Sequence, residues 1–141
     1  RLKEWQNDSH EMMTEEMLRL KLITKEQVKK QNPDQPACRK FYMHGLGHSL
    51  GLDVHDVSNG QSHFKENSVF TVEPGIYLPE EGFGVRLEDN VQITASGPLN
   101  LTSRIPIEAE EIEELRERMG LSKTQAEELA HHLIESKRDS A

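Results

Sequence analysis

The thirteen residues His44-Gly-Leu-Gly-His48-Ser-Leu-Gly-Leu-Asp-Val-His55-Asp56 set three imidazoles and two carboxylates among glycines. Two further islands follow, Thr71-Val-Glu73-Pro74-Gly75-Ile-Tyr77 and Gly84-Val-Arg86-Leu-Glu88-Asp89. Across the three, His48, Glu73 and Glu88 supply one imidazole and two carboxylates. Divalent metals that serve hydrolysis take that mix of nitrogen and oxygen donors. Each residue also has a plainer reading. The histidines could be solvated in a Gly-rich hairpin, Glu73 could end a strand and reach water, and Arg86 and Glu88 could form the wet side of an amphipathic strand. What favours chemistry is the company: all three islands are polar in the same way at strand positions.

The local sequence constrains how such groups could be held. His44 and His48 are four apart, a helical spacing, but Gly45, Gly47 and Gly51 each disfavour a helix by about 1 kcal/mol relative to Ala. A glycine-rich extended segment with close backbone approach fits better. In a strand His44 and His48 share parity and His55 does not, so convergence of all three requires a bend or bulge. Glu73 precedes Pro74, which biases it to extended geometry. It also ends the apolar run Val69–Val72, where a buried carboxylate is costly unless it is paired or bound. Arg86 and Glu88 lie on one strand face, roughly 7 Å apart.

The rest of the chain must position these islands. Met13, Met17 and Leu20 recur at helical spacing over residues 9–21, with Asp8 or Ser9 as candidate caps. Thr24 to Gln27 matches a capping box, predicting a short helix to about Lys30. Asn32-Pro33-Asp34-Gln35-Pro36 is a breaker. Phe41 to Leu101 reads as β-structure. Val85 to Thr94 predicts one alternating strand, with Val85, Leu87, Val91 and Ile93 on one face and Arg86, Glu88, Asn90, Gln92 and Thr94 on the other. Ala95 to Pro98 is a turn, and Leu99 to Leu101 a short returning strand. From about Glu108 a helical pattern resumes with Ile112, Leu115 and Met119. It breaks at Gly120, restarts at a capping box from Ser122 to Gln125, and continues as an apolar stripe through Ala126, Leu129, Ala130, Leu133 and Ile134. The expected organisation is a helical lead-in over 1–32, a β-rich region over 41–106 and terminal helices over 107–141.

Composition bounds the function classes. The 141 residues carry 17 Lys and Arg against 25 Asp and Glu, a net charge of −8. Such a chain is a poor partner for nucleic acid, which needs clustered basic groups. No stretch approaches the roughly 20 apolar residues of a membrane span, and the first residues lack the apolar segment of a signal peptide. A single cysteine, Cys38, excludes an internal disulfide and fits a reducing, cytoplasmic setting. The chain starts with Arg1 in a sequence that already looks helical, so it reads as the C-terminal piece of a longer protein.

The segment from His44 to Asp56 resembles the signature of the proline-specific metallopeptidases, aminopeptidase P and prolidase. Glu73-Pro-Gly-Ile-Tyr77 and Arg86-Leu-Glu88-Asp89 resemble the next two motifs of that family, in order and in spacing. The likeness covers about Phe41 to Glu114, and Ile105-Pro106 before a helix points toward aminopeptidase P. Methionine aminopeptidases share the fold but lack the ending seen from Gly51 to Asp56. The resemblance implies an α+β architecture, the C-terminal part of a pita-bread fold with a curved antiparallel sheet backed by helices. It implies two divalent metal ions, manganese foremost, with cobalt or zinc as options. His48 and Glu73 would bind one ion and Glu88 would bridge both. His44 and His55 would line the substrate pocket, His55 stabilising the tetrahedral intermediate or moving protons. Arg86 and Tyr77 would orient the carboxylates, and Glu73 would act as base.

The family also places two aspartates on a strand pair upstream of these motifs, in Asp-x-Gly and Asp-x-Thr-Arg sequences, together with a further pocket histidine. This chain has none of them; Asp8 and Asp34 stand in cap or loop contexts. The expectation is therefore a metal-dependent Xaa-Pro aminopeptidase as the whole enzyme, acting on proline-containing peptides. The isolated chain is expected to hold metal weakly or not at all, to be inactive, and to self-associate as a homo-oligomer. The alternatives are a prolidase, or a non-catalytic pita-bread module that binds peptides. Retention of His48, Glu73 and Glu88 favours the enzyme.

Overall fold

The computed structural model describes residues 1–57, 60–120, 122 and 124–125. The chain divides into two units, Arg1–Ser103 and Arg104–Ala141. The first contains helices α1 (Leu2–Arg19) and α2 (Lys25–Lys29) and a 3-10 turn at Ala37–Lys40. Its strands are β1 (Ser49–Leu50), β2 (Val69–Val72), β3 (Gly75–Leu78), β4 (Phe83–Arg86), β5 (Asp89–Thr94) and β6 (Gly97–Asn100). The second contains α3 (Ala109–Arg118).

Helix α1 is longer than its apolar spacing alone predicted. It starts at Leu2, and the N-terminal amino group reaches Glu4 Oε2 at 3.1 Å. Ser9 is therefore not a cap but a buried helical residue, its Oγ 3.3 Å from the Tyr42 hydroxyl. Met17 is buried as the pattern required, in a core with Ile23, Cys38 and Tyr42, flanked by Met13, Leu22, Phe41 and Ile76. Burying a side chain such as Met17 contributes about 1.5–3 kcal/mol. Leu20 instead caps the C-terminus of α1 and is exposed. The capping box of α2 forms as read: Thr24 Oγ1 accepts from Gln27 N–H at 3.2 Å, and Gln27 Oε1 accepts from Thr24 N–H at 2.7 Å.

The strands pair antiparallel in the order β1-β2-β5-β6, with β3 and β4 forming a second ladder. The single strand expected over Val85–Thr94 is broken between Arg86 and Asp89 into β4 and β5. Its partner breaks at the same level, where Pro74 has no N–H to donate to a ladder. The register nonetheless continues across the break. Val72 pairs with Asp89 and Gly75 with Arg86, so Glu73 stands opposite Glu88, and Leu87 N–H donates to the Pro74 carbonyl at 3.3 Å. Alternation then sorts the sheet into two faces. Phe70, Val72, Ile76, Val85, Leu87, Val91 and Ile93 share the apolar one. Thr71, Glu73, Tyr77, Arg86, Glu88 and Asn90 share the polar one. Trp5 of α1 and Phe64 cover part of the apolar face through edge-to-face contacts with Phe70 at 6.3 and 4.9 Å.

In the second unit, α3 ends at Arg118 with Met119 as its C-cap and Gly120 at a φ of 66°, the left-handed geometry of a helix stop. The Ser122 to Gln125 capping box is present. The apolar stripe expected from Ala126 to Ile134 lies outside the described residues. Among the described residues no helix is long and apolar enough to cross a membrane.

Candidate functional site

The histidine segment does not form a helix. From Phe41 to Leu50 it runs antiparallel beside β2 and β3, held by Tyr77 N–H to the Phe41 carbonyl (2.9 Å), Glu73 N–H to Leu46 (2.7 Å) and Thr71 N–H to His48 (2.9 Å). The approach is close enough that a Cβ on Gly47 would lie 1.8 Å from the Thr71 carbonyl oxygen. The glycine is therefore required by the neighbouring strand. After β1 the chain bends through residues 51–55 and returns, as convergence of the odd-parity histidine demanded. The His55 ring stacks on that of His48, centroids 3.8 Å apart and planes inclined by 14°.

Ring chemistry follows from the hydrogen bonds. His48 Nδ1 lies 2.9 Å from the Ser49 carbonyl, which can only accept, so Nδ1 carries the proton. In the neutral ring Nε2 then keeps its lone pair, 3.4 Å from Glu73 Oε1. Two acceptors facing each other at that distance suit a shared cation. The buried Thr71 hydroxyl organises both residues. Its Oγ1 accepts from His48 N–H at 3.0 Å and donates to Glu73 Oε1 at 3.1 Å.

Arg86 closes the other side. Its Nη1 donates to Glu73 Oε2 and forms an ion pair with Glu88 Oε2 at 3.0 Å. The Glu73 side chain is only 14% exposed, against 43% for Arg86 and 38% for Glu88. Burial alone would lower the Arg86 pKa. The hydrogen bond and charge of Glu73, with the charge of Glu88, outweigh it and hold that pKa above its ordinary value. Arg86 thus keeps its charge and holds together two carboxylates that would otherwise repel.

His44 sits at the edge of this group. Its Nδ1 donates to the Gly45 carbonyl at 2.8 Å, and Nε2 accepts from the Tyr77 hydroxyl at 2.8 Å. The ring also meets Tyr42 edge-on, centroids 5.0 Å apart. The sequence-predicted site residues fall into two linked groups. His44 joins Tyr77; His55 joins His48, which joins Glu73; Arg86 joins Glu73 to Glu88. Thr71 was missed by sequence reading, although its position two residues before Glu73 puts it on the same face. Gln6, whose Oε1 accepts from Leu46 N–H at 2.7 Å, had no sequence signal at all.

Among the described residues no group of three His, Cys, Asp or Glu side chains is arranged to hold a metal ion. His48 and Glu73 face each other, but Arg86 occupies the space between the carboxylates. A divalent ion in hydrolytic sites takes four to six donors, as a rough count. The donor chemistry therefore fits part of a metal centre and does not complete one.

The chain matches metallopeptidase family M24 over residues 1–95. It is 50% identical over 94 residues to a Xaa-Pro aminopeptidase of Haemophilus influenzae, a match covering 58% of this chain and 22% of that protein. It is 43% identical over 86 residues to intermediate cleaving peptidase 55 of Schizosaccharomyces pombe, covering 54% and 18%. Among solved structures it is similar to zinc-substituted Escherichia coli aminopeptidase P in complex with product, with a TM-score of 0.64, 34% identity and coverage of 81% and 28%. The chain thus spans about a fifth of the length of the curated relatives it matches. The α+β pita-bread architecture expected from the resemblance is the one these likenesses bear out, for the part of the fold present. With its His-Glu-Arg-Glu face and a match across more than half its length, the chain belongs to metallopeptidase family M24.

Proposed function

We propose that this chain is the C-terminal part of the catalytic domain of a dinuclear, metal-dependent Xaa-Pro aminopeptidase. In this reading residues 1–32 form its helical lead-in, 41–106 its metal-site region and 107–141 its terminal helices. The observation that carries the proposal is the clustering of His48, Glu73, Arg86 and Glu88 on the polar sheet face. His48 and Glu73 would hold one ion and Glu88 would bridge two, manganese being preferred over cobalt or zinc. Such ions, when bound, polarise water and the scissile carbonyl. The remaining donors must come from residues outside this chain.

The chain's own groups have defined tasks. Glu73 accepts the proton of the attacking water, oriented by Thr71 and Arg86 on its two oxygens. His48 presents Nε2 because Ser49 engages Nδ1. His55, exposed and stacked on His48, is placed to meet the developing oxyanion or move a proton. His44 lines the pocket beside Tyr77 and Tyr42. A proline-containing peptide is the proposed substrate, and a reducing compartment the proposed setting, for which the single, buried, free Cys38 is support. One observation favours a second reading, a non-catalytic peptide-binding module: Arg86 already pairs with both carboxylates without metal.

The test is to replace the matching segment of the Haemophilus influenzae relative with residues 1–95 of this chain and assay release of the residue preceding proline. Retained release, lost on Glu73→Gln, is the expected result. A folded, inactive exchange protein would favour the binding module. The chain alone is expected to give no release.

A further inference from the structure

The segment carrying His44 and His48 has an unusual weakness. Leu46 lies midway between them and is flanked by Gly45 and Gly47. Glycine has the largest conformational freedom of any residue, so a Gly-x-Gly backbone does not hold a fixed spacing between two side chains by itself. Something outside the segment must fix the Leu46 peptide. The β2–β3 side supplies one contact, Glu73 N–H to the Leu46 carbonyl at 2.7 Å. The Leu46 N–H donates instead to Gln6 Oε1 of α1, also at 2.7 Å, across forty residues of sequence.

Gln6 is in turn fixed on α1. Its Nε2 donates to His10 Nε2 at 3.0 Å and lies 3.5 Å from Ser9 Oγ. Because the Leu46 N–H can only donate, Oε1 must face it and Nε2 must face His10, so the amide has one consistent orientation. A Cβ at Gly45 would lie 3.3 Å from Gln6 Oε1, tighter than ordinary contact. Leu46 is thus held from both ends, its N–H by α1 and its carbonyl by Glu73, just after β2.

We propose that Gln6 is a positioning residue. Its side-chain carbonyl fixes the Gly45-Leu46-Gly47 backbone and through it the placement of His44 and His48 relative to Glu73. The inference rests on the aminopeptidase reading only in giving those histidines a task; the clamp itself is independent of it.

The test uses two variants of the 15N-labelled chain. Gln6→Leu keeps the size and removes the acceptor; Gln6→Glu keeps an oxygen in place. The readouts are amide exchange at Leu46 and the imidazole nitrogen shifts of His44 and His48, with Met17 and Tyr42 amides as core controls. Gln6→Leu should speed Leu46 exchange about tenfold, the loss of one ordinary hydrogen bond, and average the Nδ1–H signals of both histidines. Gln6→Glu should restore both readouts. Unchanged Leu46 exchange and ring shifts in Gln6→Leu would overturn the proposal. Should Gln6→Leu also lose protection of the core amides, Gln6→Glu decides. Retained Leu46 protection and ring signals would then support the clamp, and their loss in a protected core would overturn it. None of these readouts requires activity, so an inactive exchange protein would leave the clamp standing. In an active one, Gln6→Leu should lower kcat about tenfold with little change in KM, and Gln6→Glu should restore it.

Discussion

At the scale of single residues, the site depends on hydroxyls and amides as much as on its proposed metal ligands. Thr71 has one oxygen and two partners, the His48 N–H and Glu73 Oε1. Thr71→Val conserves shape and removes both bonds, leaving a partly buried N–H unpaired. The expected loss is about 1–3 kcal/mol in urea denaturation, largely spared in Thr71→Ser. His10 makes a second prediction. Burial, and secondarily the charge of Arg39, hold its pKa below the ordinary 6.5. Folded protein then binds fewer protons than unfolded protein below that pH, so stability falls as pH drops from about 7 to about 5. His10→Asn should flatten this acid limb in denaturation curves at the two pH values. An unchanged slope would mean that other groups dominate it. The proposed metal ligands and Arg86 could be singled out in the sequence because charged residues on a strand beside apolar runs stand out. Thr71 and Gln6 were not, because threonine in a strand and glutamine in a helix are ordinary. What distinguishes them is a partner supplied by another part of the chain.

At the scale of elements, the informative positions are where backbones touch. Gly47 lets β1 and the segment before it approach β2 to a distance that excludes any side chain. Gly47→Ala should therefore force the strands apart and cost upwards of about 1–3 kcal/mol, with loss of the His48–Thr71 pairing. Gly82 is the contrast. It has a φ of 73° and open space around it, so Gly82→Ala should cost only about 1 kcal/mol of backbone strain. Thermal melts of the two variants would check the order; a costlier Gly82→Ala would contradict it. Capping signals and breakers were readable because they are local, as Thr24 to Gln27 and Asn32 to Pro36 demonstrate. The length of α1 was misread because its first turns are held by contacts with distant residues, Trp5 on Phe64 and Phe70, and Leu2 N–H on the Ser62 carbonyl. The break at Leu87-Glu88 was misread for a related reason. Its cause is Pro74 on the partner strand, and alternation within one strand does not record what its neighbour lacks.

At the scale of the whole molecule, two consequences follow from surfaces. Phe83, Val85 and Leu87 remain exposed on the apolar face, beside an open groove of about 480 Å³ lined by Trp5, Phe64, Phe70, Val91, Ile93 and Pro98. The strand β6 stands at the end of its sheet. Exposed apolar patches and sheet edges promote association. Light scattering of the isolated chain at micromolar concentration should give a mass above the monomer; a clean monomer would contradict this. The opposite, polar face carries the central claim, that His48, Glu73 and Glu88 are part of a two-metal site completed by other donors. The most direct measurement is manganese stoichiometry by calorimetry, on the isolated chain and on the Haemophilus influenzae relative carrying residues 1–95 of this chain. The isolated chain should bind weakly or not at all. The exchange protein should hold two ions tightly per molecule, reduced to one or none by Glu88→Gln. Tight, stoichiometric binding by the isolated chain, or an exchange protein that loads manganese equally well without Glu88, would contradict that claim.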